Sequence, residues 1–305
     1  MTLHVFGAIV TGHGTAANNR GITEGNITTL QKLLWKQQVH TTMSAETIRF
    51  ALRRYLGEHE GCNRTYNETE RTNTWADPEF KRWSAQSKDA PFIDDDLLGY
   101  MAAEAAKEEN TKGSAKIRRA VLEITRSISL TPWPGDVTFN AASPGATPSA
   151  QKKGSNPVPY GTEMHATRYQ YGFAMTPSKI HSHKAKRARI ALEGLCSLAE
   201  VAGNHGRFLF DYSPESVVFR LTDDPAPRIL YAFEATADGR VGIADLIRKV
   251  KARDVRPEEL IVGGAIAPAL DKGDRVALEG AKIFDGVRAA CEAACKRIED
   301  DRSLS

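Results

Sequence analysis

Between Gly12 and Gly21 the chain reads Gly-His-Gly-Thr-Ala-Ala-Asn-Asn-Arg-Gly. Small residues, amides and one arginine describe a loop whose backbone can lie close to a ligand. Further on, Ser44 stands ahead of a helical pattern in which Ile48, Ala51, Leu52 and Tyr55 recur up to Gly57. Arg49, Arg53 and Arg54 fall on the remaining faces. A helix start presents free N–H groups and positive partial charge to an anion, and a guanidinium grips phosphate through two parallel hydrogen bonds. Loop and helix together suit a phosphate backbone and read no base identity. The plainer reading of the three arginines is a solvated helix face.

Other clusters admit simpler roles. Asp94-Asp95-Asp96 precedes Leu97, Leu98, Tyr100 and Met101. Acids at a helix start favour the macrodipole, so capping is expected, and a divalent-metal site lacks a second carboxylate cluster nearby. His13, His40 and His165 are of the type that serves general acid–base catalysis. His40 reads equally as a hydrogen-bonding residue. His181 and His183 show no carboxylate or thiol partners for a metal. Lys184, Lys186, Arg187 and Arg189 open a second helical pattern with no acid before Glu193 and read as a solvated turn. Cys291 and Cys295, one helical turn apart, cannot complete a tetrahedral zinc site and suit a packed helix face.

The elements that must position these groups follow from periodicity. Leu3 to Thr11 predicts a buried strand, the Ser44 pattern a helix, and Ile117 to Leu130 a strand. Thr131 to Glu163 is rich in Pro, Gly, Ser and Asn and reads as a projecting arm inside a hairpin, because a structureless loop of that length is unusual in a compact domain. Thr167 to Ala174 alternates as a strand, a helix spans about 183–202, and Arg207 to Leu221 is extended. That order, strand, helix, strand, strand, helix, strand, is the split βαβ or ferredoxin-like arrangement, an α+β fold. The remainder reads as a strand at Ile229 to Ala235, a helix from Ile243 to Ala252, a strand at Leu260 to Val262 and a helix over Ala281 to Ile298.

The bulk properties exclude some classes. A chain of 305 residues, 41% hydrophobic and 26% charged, is ordinary for a globular protein and buries a core easily. The net charge of +3 means that any nucleic-acid surface must come from local clustering. The first residues carry no basic run and only a short apolar one, so neither a signal peptide nor a membrane span is expected, and a cytoplasmic location is.

Four segments occur in one chain and in a fixed order: Asn18-Asn19-Arg20, the Ser44 to Arg49 helix start, Asp94 to Met101, and Thr167-Arg168-Tyr169-Gln170-Tyr171 after the proline-rich arm. This set resembles the seventh family of CRISPR-associated proteins, in its DevR or autoregulator branch. The likeness covers about the first two thirds of the chain. It implies an RRM-like palm over residues 1–57 and 115–222, a helical finger insertion over 58–114, a thumb over 131–165 and an α/β extension over 223–305. It further implies a guide-RNA (crRNA) binding backbone subunit that polymerises along the spacer in a type I Cascade complex. The expected partners are the guide, the paired target DNA strand, further copies head to tail, and the cap, large and small subunits. No cofactor and no catalysis are expected. By the resemblance Asn18, Asn19, Arg20, Ser44, Glu46, Arg49 and Arg53 line the guide channel, joined by His40, Arg118, Arg168 and, on the arm, Lys152 and Lys153. RNA-cutting relatives keep an aspartate in the first loop, whereas residues 12–26 offer Glu24 alone as an acid. Two other classes stay open: an endoribonuclease on the same fold, which would normally end in a glycine-rich loop, and a duplex-DNA regulator, for which no helix-turn-helix pattern is visible.

Overall fold

The structure, a computed structural model, describes residues 2–17, 22–103, 115–141, 143–146, 159–199, 201 and 210–301. In chain order these form β1 (His4–Thr11), β2 (Gly14–Ala17), β3 (Thr23–Glu24), β4 (Ile27–Thr28), β5 (Lys32–Trp35), β6 (Gln38–Met43) and α1 (Ala45–His59). Next come β7 (Arg64–Asn67), β8 (Thr72–Trp75), α2 (Ile93–Leu98), β9 (Tyr100–Ala103), β10 (Ala115–Arg118), β11 (Leu122–Ile124) and β12 (Ser127–Ser129). The middle of the chain gives β13 (Val137–Ala141), β14 (Pro159–Thr167), β15 (Tyr169–Met175), α3 (Lys184–Cys196) and β16 (Pro214–Thr222). After the short pair β17 (Glu234–Ala235) and β18 (Val241–Gly242) follow α4 (Ala244–Lys251), β19 (Leu260–Gly264), α5 (Ile266–Ala269), α6 (Lys272–Ala277), β20 (Lys282–Phe284) and α7 (Val287–Glu299).

This is a mixed α+β architecture built on one large sheet, ordered β20-β19-β16-β1-β15-β12-β6-β5 with β11 also beside β15. At its centre β1 lies antiparallel to both β15 and β16, and β15 in turn to β11 and β12. In the chain α1 precedes β11, and α3 joins β15 to β16. Because side chains alternate across a strand, β1 feeds two cores. Val5 and Ile9 pack with Leu52 of α1, Leu192 of α3 and Ala294 of α7. Phe6, Ala8 and Val10 pack with Ile229, Phe233 and Leu246 from the C-terminal third. Gly7 is fixed by this crowding, since a Cβ there would overlap the Phe173 ring.

The expected strand at β1 and the helices at α1, α3 and α4 are present, though α3 ends at Cys196. Cys291 and Cys295 are buried on the core face of α7. Several expectations fail for identifiable reasons. The strand expected over 229–235 shrinks to β17, because Arg228 and Tyr231 take positive φ of 56° and 54° and break the extended run. Their apolar neighbours Ile229 and Phe233 are used for packing instead. The single strand expected over 117–130 is three, β10, β11 and β12. The insertion over 58–114 is not mainly helical among the described residues: it holds the antiparallel ribbon β7–β8, the six-residue α2 and β9, which pairs with β10 just beyond it. Gly99 ends α2 at φ 68°, pressed against the backbone of Arg118 and Ala120, a place with no room for a side chain. Residues 14–17, expected as loop, pair with β14. Expected helix 281–298 divides into β20 and α7, which Gly286 precedes.

Candidate nucleic-acid interface

Ser44 caps α1, its Oγ accepting from the Thr47 N–H at 3.3 Å. The Glu46 backbone N–H and then the Ser44 hydroxyl hold the Glu46 carboxyl below its ordinary pKa, so both side chains are spent on stabilising the helix start. One turn on, Arg49 is half-buried and donates through Nη2 to the Leu98 carbonyl. Burial, and then the charge of Arg53, lower the Arg49 pKa. Arg53 in turn donates from Nε to Asp94 Oδ2 at 3.2 Å.

The acidic triplet corrects the capping expectation. All three carboxylates are buried, and they bind other elements rather than the start of α2, where Phe92 is the cap residue and no side chain caps. Asp94 accepts the N–H groups of Asn63 (2.7 Å) and Arg64 (3.1 Å) besides Arg53. Asp95 accepts from Asn63 Nδ2 at 2.9 Å, and burial together with the neighbouring Asp94 pushes its carboxyl up to about 7. Asp96 takes Arg187 Nη1 at 2.6 Å, Arg118 Nη2 at 2.7 Å and the N–H groups of His181 and Ser182. Arg187, expected as part of a solvated turn, is fully buried and also binds Glu60 and the Pro91 carbonyl. The triplet is therefore a polar junction joining the insertion to α1 and α3. The charges of Asp94 and Asp96 are matched by guanidinium groups and backbone N–H groups, the condition under which buried ions are tolerated, whereas Asp95 is held by the Asn63 amide.

The remaining expected contacts fall in different surroundings. Arg118 lies 4.1 Å over the Trp83 ring as well as on Asp96. Arg168 grips Glu215 with Nε at 2.6 Å and Nη2 at 3.3 Å and donates to the Gly239 carbonyl. His40 is buried, with Nδ1 2.8 Å from the Ser129 carbonyl, a structural hydrogen bond that turns it away from solvent. His165 is buried against Thr41, and burial draws its imidazole down to about 4. Asn18, Asn19, Arg20, Lys152 and Lys153 lie outside the described residues. The structure thus brings Ser44, Glu46, Arg49 and Arg53 along one helix, links Arg53 and Arg118 through α2, holds Arg168 on Glu215, and sets His40 and His13 near His165, whose pKa their charges help to lower. Charge type was legible in sequence, but the partner that already holds each arginine was not.

The β13–β14 ribbon falls largely in the segment expected as a thumb, but its exposed apolar residues were not expected. Val137 and Phe139 alternate outward from β13, Phe139 at 79% exposure, and Leu34 of β5 is 74% exposed. Lys32 of β5 binds Glu163 of β14 at 2.6 Å and lies 4.1 Å over the Trp133 ring, which ties the two ribbons together. An outward apolar pair on a strand was the available signal.

A large mixed sheet whose central strands β1, β15 and β16 are buried, with smaller two-stranded ribbons beside it, defines the class of protein. The same architecture is found in two solved structures. One, "CRISPR RNA-guided surveillance complex", matches with a TM-score of 0.55 and 14% identity over 97% of this chain and 99% of that chain. Another, "CRISPR RNA-guided surveillance complex, pre-nicking", matches with a TM-score of 0.59 and 11% identity over 97% and 100%. A curated relative from Myxococcus xanthus (strain DK1622), "CRISPR-associated protein Cas7/Cst2/DevR", is 65% identical over 98% of this chain and 99% of its own. Residues 6–234 match the family described as "CRISPR-associated negative auto-regulator DevR/Csa2", and the chain belongs to that family. No helix among the described residues is long and apolar enough to cross a membrane.

Proposed function

We propose that this chain is a guide-RNA-binding backbone subunit that polymerises along the spacer and presents it for pairing with target DNA in a type I complex. The observation that carries the reading is the family match over residues 6–234, together with a fold shared along nearly the whole chain with subunits of RNA-guided complexes. The strand order β16-β1-β15-β12, with α1 and α3 between strands in the chain, supports an RRM-like palm. In this reading residues 58–114 serve as a finger and 131–165 as a thumb. The exposed Val137 and Phe139 on β13 give the thumb an apolar face for a base or a neighbouring copy. Arg49 and Arg53 place positive charge along α1, which suits a phosphate backbone that the protein must hold without reading sequence. Target choice is left to base pairing.

We further propose that the subunit does not cut nucleic acid. Hydrolysis needs a positioned acid–base pair or convergent carboxylates for metal ions. In the acidic run of α2, Asp94 and Asp96 are engaged by Arg53, Arg118 and Arg187. The test is purification with sequencing of the bound RNA, followed by loading on guides of graded length. Particles that grow stepwise with guide length, and that leave complementary strands intact in magnesium or manganese, support the reading. A monomer without RNA, or cleavage at regular intervals, refutes it. The family description also names autoregulation. A duplex-binding regulator would shift operator-type DNA without RNA, and the same preparation tests that.

A further inference from the structure

On the outer side of α1, the helix and the ribbon β7–β8 enclose a cleft of about 340 Å³, lined by Phe50, Arg53, Arg54, Arg64, Tyr66 and Asn73. In the ribbon Arg64 stands opposite Trp75 and Tyr66 opposite Asn73. Residues two apart and directly opposite share a face, so Arg64, Tyr66, Asn73 and Trp75 form one surface. The Tyr66 ring meets Phe50 at 78° and the Trp75 ring meets Phe80 at 68°. Neither partner is parallel, and the two side chains remain 37% and 41% exposed. The Arg64 guanidinium lies 5.8 Å from the centre of the Trp75 ring.

Arg53, Arg54 and Arg64 line the cleft together with Glu58 and Glu68. Arg49, Arg53 and Arg64 are close enough that the Arg53 charge, after burial, lowers the pKa of both its neighbours. Asp94 is the carboxylate that binds Arg53, and Arg54 adds a further exposed cation to the cleft. Glu58 and Glu68 also line it, but neither forms an ion pair with these arginines among the described residues. Crowded guanidinium groups facing an open cleft favour an anion that accepts several forked hydrogen bonds, and phosphate does so.

We propose that this cleft binds the phosphate backbone of a single-stranded nucleic acid, with a base stacked on Tyr66 or Trp75. Aromatic faces interleaved with arginines are the means by which proteins hold single strands without regard to sequence. An acidic peptide would engage the arginines and leave both rings unused. The inference shares with the proposed function its choice of nucleic acid as ligand, and of the residues assigned there it uses Arg53.

The experiment uses the full chain with two probes, a 12-mer of uridine bearing 4-thiouridine and a 12-mer of thymidine bearing 4-thiothymidine. Binding is followed by anisotropy across a salt series, and photo-crosslinks are mapped by mass spectrometry. Crosslinks at Tyr66 or Trp75 are expected, and the difference between the probes tells whether RNA or DNA is the natural strand. The double variant Arg54→Ala, Arg64→Ala should flatten the log–log salt slope by about 1.4, two phosphates at roughly 0.7 each. Tyr66→Ala with Trp75→Ala should abolish the crosslinks and keep the slope. Arg54→Glu, at an exposed position, should weaken binding with an unchanged melting temperature and guards against a folding artefact. Crosslinks confined to other regions with an unchanged slope overturn the proposal, as does capture of a polyglutamate peptide in place of the oligonucleotides. If Arg49→Ala weakens binding while the Arg54, Arg64 pair does not, this cleft alone is refuted. If the wild-type chain binds neither probe, the guide-binding reading falls with it.

Discussion

Replacing Arg187 by Met removes the cation that joins three parts of the molecule. Its fully buried side chain holds Asp96, Glu60 and the Pro91 carbonyl, so it links α3 to α2, the end of α1 and the insertion. Taking one partner from a buried ion pair costs about 3–5 kcal/mol, because the remaining charge is left without compensation. Asp96 keeps Arg118 and the N–H groups of His181 and Ser182, which places the expected loss near the lower end, about 3 kcal/mol. With a urea m-value of about 3 kcal/mol per molar for a domain of this size, the unfolding midpoint should fall by about 1 M. Equilibrium urea unfolding followed by tryptophan fluorescence reads the shift. The companion variant Asp96→Asn in the same background removes the stranded charge and should recover at least a third of the loss. A midpoint within about 0.2 M of wild type, or a double variant less stable than Arg187→Met by the full cost of Asp96→Asn, would refute the junction as a coupled unit.

Three further outcomes follow from the same structure. Burial and Asp94 hold the Asp95 proton to about pH 7 in the folded state, against about 3.9 in the unfolded chain, so the folded state binds more protons between those values. The stability contributed is present below pH 4 and lost as pH rises to 7; Asp95→Asn should flatten the dependence and raise stability at pH 8 by about 2–4 kcal/mol, read from thermal melts between pH 5 and 8. Phe139→Asp, on an exposed ribbon face, should change stability by less than about 0.5 kcal/mol in chemical denaturation yet shorten the particles assembled on a long guide, seen by sedimentation. Gly7→Ala forces a methyl into the Phe173 ring and should cost about 1–3 kcal/mol by the same denaturation assay.

The amino-acid sequence by itself determined β1, α1 and α3, because a buried strand and an amphipathic helix are written within a few neighbouring residues as apolar spacing. It also determined the order of strands and helices at the centre of the sheet and the segments on which the family resemblance rests. Where the signal was local but unusual, it was lost. The β5–β6 hairpin turns at Lys36 and Gln37, with φ of 48° and 67°, in place of the Gly, Asn or Asp that normally marks such a turn. Tertiary structure alone decided the fate of the charges. Asp94 to Asp96 look like caps in sequence, yet Asp96 meets Arg187 across 91 residues and Asp94 meets Arg53 across 41. The same folding left Arg54 and Arg64 facing a cleft beside two exposed rings. An ion's partner is set by which surfaces the fold desolvates together, and the energy of that choice depends on burial that no stretch of sequence reports.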